Sequence, residues 1–359
     1  MAAQYKRIVV KIGSNVLTQN DGLPDISRIK NITEQIAALR KRGMDVILVS
    51  SGAVASGRSL ISVPDRTDAI AARQLLAAVG QVKLINTYSG LFEQLNMLCA
   101  QVLVTKEDFR DRKHYLNMKN CFQILLQNKV VPIVNENDVV SVTELMFTDN
   151  DELAGLVAAM LNADALIILS NVDGVYNGDP KQEGAKVIEE IRARETNFAH
   201  FISPGKSQFG RGGMVTKSVM AQKVARLGIP VHVANGKRDN VLPDLLDNKI
   251  VHTRFVPDKT ASGTKKWLAT SANAATGVVQ VNEGAKTALV SGKATSLLPV
   301  GIIAIQADFQ KGDIIRLVDE QEQLIGLGIA QYGSDKTRER IGQRNQKALV
   351  HYDYFYPAI

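Results

Sequence analysis

Cysteine is nearly absent: Cys99 and Cys121 are the two in 359 residues. That excludes a disulfide scaffold and a multi-cysteine zinc cage. Both lie in apolar sequence and read as buried, reduced thiols. Long apolar runs are missing too. None reaches the ~20 residues that span a bilayer, and the N-terminus has no signal-peptide core. A cytoplasmic protein is expected. Familiar catalytic signatures are also lacking: G-x-G-x-x-G after a strand, G-x-x-x-x-G-K-[ST], H-E-x-x-H, C-x-x-C and G-x-S-x-G. Gly212-Gly213-Met214-Val215-Thr216-Lys217-Ser218 approaches the second of these but has no glycine before its lysine. The five histidines are scattered, so no metal site is expected.

What remains is an ordinary globular composition, 45% hydrophobic and 22% charged. The length suits about two domains. Net charge is 43 − 36 = +7. Such a balance fits nucleic acid or small anionic substrates. From Lys265 onward eleven basic residues face nine acidic ones, so the basicity is not held in a tail.

Short apolar runs alternate with amphipathic stretches. The runs are Ile8–Val10, Val46–Val49, Val130–Val134, Leu166–Leu169 and Ile229–Val233. Ile29, Ile32, Ile36 and Leu39 recur at helical spacing, as do Leu75, Leu76, Val79 and Val82. The pattern predicts an α/β fold, an open, mostly parallel sheet between helices. Glycine and polar residues collect at the carboxyl ends of the strands, where such sheets bind ligands. We expect this domain over 1–258, a linker over 259–274, and a small β-rich domain over 275–359. Strand-like pieces in the last are Gly277–Val281, Ala288–Val290, Gly301–Ile305, Asp313–Leu317 and Leu324–Ala330.

Five segments carry candidate chemistry. Lys11-Ile12-Gly13-Ser14 ends the first strand: glycine admits a phosphate and Lys11 adds charge. A turn with a surface lysine would read the same. Ser51-Gly52-Ala53 opens a helix and suits an anion, or is a plain cap. Gly205, Gly210, Gly212 and Gly213 surround Arg211 in a basic loop before Thr216-Lys217, suited to polyphosphate or merely mobile. Asn135-Glu136-Asn137-Asp138 and Thr148-Asp149-Asn150-Asp151 could grip an ammonium group or hold Mg²⁺ through water, besides capping a helix.

Together and in this order, these segments resemble the amino acid kinase family. The similar stretches are VVKIGSNVLT, VSSGAVASG, RQLLAAVGQ, VPIVNENDVV, FTDNDELA and GRGGMVTK. The set resembles most the branch that phosphorylates the side-chain carboxylate of glutamate to start proline biosynthesis. GAKTALVSGKATSLLPVGI and FQKGDIIRL resemble a PUA domain. The resemblance implies ATP with Mg²⁺, and phosphate contacts from Lys11 and Lys217. It implies a glutamate site of Ser51, Asp138 and Asn150, with Asn135 and Asp149 close by. Asp151 would orient the lysines. Ser170, Asn171 and the segment Arg211, Gly212, Gly213, Met214, Val215, Thr216 and Lys217 would hold the nucleotide. The chain departs from the family at Asn171, where aspartate is usual, and at Arg211, where threonine is common. Proline as feedback inhibitor and a homo-oligomer are further implications.

The chemistry agrees with the residues. A carboxylate nucleophile is ionised at neutral pH and needs no base. What it needs is positive charge against the phosphates. Asp149 and Asp151 then make sense as orienters of lysine or outer partners of Mg²⁺. The product would be a labile acyl phosphate, which suits hand-over to a glutamyl-phosphate reductase. Acetylglutamate and aspartate kinases are the rival readings; NEND and the C-terminal domain argue against them. RNA binding is the rival of another class. Lys336, Arg338, Arg340, Arg344 and Lys347 against Glu339 form a basic stretch, which a solvated helix face would equally produce.

Overall fold

The computed structural model describes residues 5–64, 66–140, 147, 149–180, 182–195, 213–258, 262–270, 275–291 and 295–358. The chain forms two compact units, residues 1–108 with 113–260, and residues 109–112 with 261–359.

The first unit is built on β1 (Arg7–Ile12), β2 (Asp45–Ser50), β3 (Cys99–Val104), β4 (Val131–Glu136), β5 (Ala165–Ser170), β6 (Glu190–Arg192), β7 (Val231–Asn235) and β8 (Thr253–Val256). They form one sheet in the order β3-β4-β2-β1-β5-β7-β8-β6. All pairs are parallel except β7 with β8. The five apolar runs of the sequence became β1, β2, β4, β5 and β7. Their β-branched side chains are buried, as helix-covered parallel strands require. β3 carried no such run. It is an edge strand, half-exposed along its length, and needs less apolar surface.

Helices Ile26–Lys41 and Ala69–Gln94 cover part of this sheet. Ile29, Ile32, Ile36 and Leu39 are buried as the spacing implies. The second helix turns a different stripe inward. Leu76, Ala77, Gly80, Leu84, Tyr88 and Phe92 are buried, while Leu75 and Val82 face outward. Glycine explains this orientation. A Cβ on Gly80 would lie 1.8 Å from the carbonyl oxygen of Ala53, and one on Gly57 2.1 Å from that of Leu76. The helix therefore lies backbone to backbone on the short helix Ala53–Arg58. The thiols also depart from expectation: Cys121 is exposed and Cys99 half-buried, and both are free. Cys121 takes an outward position on the amphipathic helix Arg112–Gln127, whose buried stripe is Tyr115, Phe122 and Leu126.

In the second unit β9 (Gly277–Val281), β10 (Ile302–Ala307), β11 (Ile314–Val318), β12 (Leu324–Ile329) and β13 (Phe355–Pro357) form a sheet in the order β10-β9-β11-β12-β13. Ala288–Val290, read as a strand, ends the helix Glu283–Val290 instead. Asn282 caps it by accepting from the Ala285 amide, so helix wins over local β propensity. The helix Gly263–Thr270 occupies part of the stretch expected as a linker and packs on β13. The basic stretch begins in the helix Ser334–Arg340, where Arg338 pairs with Asp308 and Asp335 and Arg340 lies over Tyr332. Among the described residues no helix is long and apolar enough to cross a membrane.

Two stability predictions follow from this packing. Gly80→Ala gains helix propensity, worth about 1 kcal/mol, but must push two backbones apart. A net loss of about 2 kcal/mol is expected in urea unfolding; an unchanged midpoint would contradict the contact. His232 in β7 is buried, bonded to Tyr5 and His252, and burial pulls its pKa down to about 3. An unfolded histidine titrates near ~6.5. The native state therefore holds its full stability above that pH and loses some as pH falls toward 3. His232→Gln should flatten this acid slope, read from unfolding midpoints at pH 7 and pH 5.

Candidate active site

The carboxyl ends of β1, β2, β4 and β5 open into a cavity of about 880 Å³. Of the residues singled out in the sequence, Lys11, Ser51, Asn135, Asp138, Asp149, Asn150, Asp151, Ser170, Asn171, Gly213, Met214 and Lys217 line it. Val215 and Thr216 do not. Val215 faces outward, and the Thr216 hydroxyl donates to the Gly213 carbonyl. Arg211 and Gly212 lie outside the described residues.

One end of the cavity is cationic. Lys11, next to last in β1, reaches Asp151 Oδ1 at 2.7 Å. Lys217, in the first turn of the helix Met214–Arg226, reaches Asp151 Oδ2 at 2.5 Å. Exposure is 5%, 8% and 1% for Lys11, Lys217 and Asp151, so all three charges are out of solvent. Burial pushes the Asp151 carboxyl up, but the two ammonium groups hold it well below the usual carboxylate range. Burial also pulls Lys11 below its ordinary value, against the attraction of Asp151. Asp149 shifts upward, through burial and then the neighbouring Asp151.

Local structure fixes these groups. Asp149 caps the helix Asn150–Leu161, its Oδ1 accepting from the Asp151 and Glu152 amides at 2.9 and 3.1 Å. Asp149 Oδ2 is buried and has no partner among the described residues. The helix Met214–Arg226 begins at Gly213 with no side-chain cap. Its first amides and its dipole suit an anion. Gly52, at φ +112°, gives the turn after β2 a left-handed residue that only glycine adopts easily.

The other end is polar and finely bonded. Asn150 Nδ2 donates to Ser51 Oγ at 2.8 Å and to Asn135 Oδ1 at 3.0 Å. Arg73 Nη2 and Nε donate to Asp138 Oδ1 at 2.6 and 3.1 Å. Glu136 accepts from the Phe147 amide, and burial pushes its pKa up to about 7. On the remaining wall lie Ser170, Asn171 and Tyr176, with Asp173 behind them held by Arg238 and Asn235.

The sequence reading did not single out Arg73, Gln81 or Lys237, and gave Glu136 no role beyond its place in the Asn135–Asp138 segment. Arg73, Glu136 and Lys237 line the cavity, and Gln81 bonds Asn135 behind it. Arg73 and Gln81 both lie in the RQLLAAVGQ stretch. Eight residues apart, they share one helix face, and that pair of polar residues on an apolar helix was the available signal.

Comparison with known proteins bears on this site. Residues 6–235 match the amino acid kinase family and residues 277–351 the PUA domain. Glutamate 5-kinase of Chlorobaculum tepidum is 51% identical over 98% of this chain and 97% of its own. That of Bacteroides thetaiotaomicron is 51% identical over 99% of each chain, and that of Dictyoglomus thermophilum 40% identical over 96% and 92%. Among solved structures, carbamate kinase from Giardia lamblia bound to AMP-PNP aligns with a TM-score of 0.51, covering 72% of this chain and 100% of its own at 20% identity, a likeness of fold. The chain belongs to the amino acid kinase family, among its glutamate 5-kinases, with a PUA domain in its C-terminal part.

Proposed function

We propose that the chain transfers the γ-phosphoryl group of MgATP to the side-chain carboxylate of L-glutamate, giving γ-glutamyl phosphate and ADP as the entry to proline biosynthesis. The observation that carries this reading is the pair of buried lysines sharing Asp151. The attacking carboxylate is already ionised, so the chemistry demands charge and alignment rather than a base. Lys11 and Lys217 supply fixed cations where negative charge gathers on the transferring group. Asp151 holds both, one ammonium group on each carboxylate oxygen. Ser170, Asn171, Gly213 and Met214 make the nucleotide wall, with Arg211, Gly212, Val215 and Thr216 assigned to the same segment by the family pattern. Ser51, Asn135, Asp138 and Asn150 make the glutamate end.

Magnesium fits the donors present. Mg²⁺ usually takes one or two carboxylates, phosphates and water, and Asp149 Oδ2 is a buried carboxylate oxygen with no partner among the described residues. Asp149 would hold the ion, which supplies charge neutralisation on the phosphates. Two free thiols suit a reducing cytoplasm. Proline as inhibitor, a reductase that accepts the acyl phosphate, and self-association belong to the same reading. The paired arginines of the basic stretch favour a solvated face over RNA contact there.

An ADP-release assay with glutamate, acetylglutamate and aspartate tests the reaction. Turnover restricted to glutamate is expected; preference for another acceptor would overturn the substrate. Lys11→Ala and Lys217→Ala should each lower kcat by at least about 10²-fold, and near-normal turnover in either would remove that lysine from the chemistry. Asp138→Ala should raise KM for glutamate about tenfold or more and leave KM for ATP nearly unchanged. The reverse pattern would reassign Asp138.

A further inference from the structure

Asn150 has an amide with two N–H hydrogens and one carbonyl oxygen. Both hydrogens are spent inside the protein, on Ser51 Oγ at 2.8 Å and Asn135 Oδ1 at 3.0 Å. Asn150 therefore has only its carbonyl oxygen to offer the cavity. Ser51, accepting from Asn150, keeps its own hydroxyl hydrogen to give. The two groups present one acceptor and one donor side by side.

That polarity could be reversed in isolation. If Asn135 turned its N–H groups toward Asn150, Asn150 would have to answer with its carbonyl. Its own N–H groups would then face the cavity and repel an ammonium ligand. Among the described residues, one further contact holds Asn135. Asn135 Nδ2 donates to Gln81 Oε1 at 2.9 Å. Asn135 is 3% exposed, so water does not replace that acceptor. Gln81 belongs to the helix Ala69–Gln94, which Gly80, its chain neighbour, seats against the backbone of Ala53. The backbone that carries Gln81 is thus held in place.

We propose that Gln81 is a positioning residue that holds Asn135, and through it Asn150 and Ser51, in the relay Gln81–Asn135–Asn150–Ser51. Its direction selects a ligand that bears an ammonium group for Asn150 Oδ1 and a carboxylate for Ser51 Oγ. A free amino acid meets both demands with its ammonium and α-carboxylate and leaves an acidic side chain for the lysines; N-acylation removes the positive charge and leaves a single N–H. This rests on the glutamate kinase reading and adds the residue that makes the acceptor site specific.

The test is steady-state kinetics on the full chain. Gln81→Met keeps side-chain length and removes the acceptor. Without that acceptor Asn135 is free to turn and Asn150 loses its fixed partner, so KM for glutamate should rise about tenfold. KM for ATP should stay near wild type, and the thermal midpoint should fall by about a few degrees because the Asn135 amide loses its acceptor. Should that variant fold poorly, Gln81→Ala, with the best helix propensity, carries the same expectation. Ser51→Ala and the double variant complete a cycle. If Gln81 acts through Ser51 and Asn150, the double variant rises by less than the product of the single effects. A full product, an unchanged KM for glutamate, or equal losses for both substrates would each overturn the proposal. Wild-type enzyme without glutamate turnover would instead remove the kinase reading itself.

Discussion

Two lysines buried on one carboxylate is the arrangement on which the rest of the site depends. Each ion out of water costs several kcal/mol after relaxation. Asp151 offsets that cost for Lys11 and Lys217 together, one oxygen to each. Remove it and two like charges face each other in a poor dielectric, where repulsion is several times its value in water. The carboxylate must therefore be rigid, and the fold makes it so. It sits in the first turn of a helix whose cap, Asp149, holds the Asp151 amide. The lysines come from β1 and from the start of the helix Met214–Arg226, the next described helix along the chain, so strand and helices have to meet at one sheet edge. The cluster exists only in the folded unit, and its charge is complete only when an anion arrives.

From that cluster the cavity is graded. Charge gathers on Lys11, Lys217 and Asp151 and neutral amides on Asn135 and Asn150, with Arg73 and Asp138 paired in the same lining. A nucleotide carries its charge on phosphates and suits the first end. An amino acid carries one charge of each sign at its head and suits the second. On the proposed reading the nucleophile is the carboxylate at the far end of that amino acid, which the gradient would bring toward the lysines. No histidine or serine dyad is required, because the acceptor arrives without a proton to lose. The absence of catalytic dyads in the sequence and the abundance of amides are two aspects of the same chemistry.

Legibility followed physical strength. Strands buried on both faces announce themselves as apolar runs, so β1, β2, β4, β5 and β7 were readable. β3 at the edge and the short β6 and β8 were not, because a half-exposed strand needs fewer apolar residues. Lys11 and Lys217 could be picked out because glycine turns flank them. Asp151 needed the resemblance, since a carboxylate in a helix start is usually only a cap. Arg73 and Gln81 escaped because their partners, Asp138 and Asn135, are 65 and 54 residues away. Local pattern holds no record of such separations. The inward stripe of their helix was misread for the same reason, because glycine gives no apolar signal although it decides which face can approach a backbone.

That glycine contact and the polar site are one mechanical system. The helix Ala69–Gln94 carries Arg73 and Gln81, and its Gly80 rests on Ala53, two residues after Ser51. A hydrogen-bonded relay of side chains works within about 0.5 Å of its geometry. A displaced helix would therefore alter the relay at both ends at once, through Gln81 on Asn135 and through Ala53 on Ser51. Close packing of two backbones is the stiffest means a fold has of fixing such a distance, since no side-chain rotamer intervenes. The substrate end is held by glycine for the same reason that the phosphate end is held by a buried salt bridge. Each needs groups from distant parts of the chain to keep a fixed separation while a ligand enters and leaves.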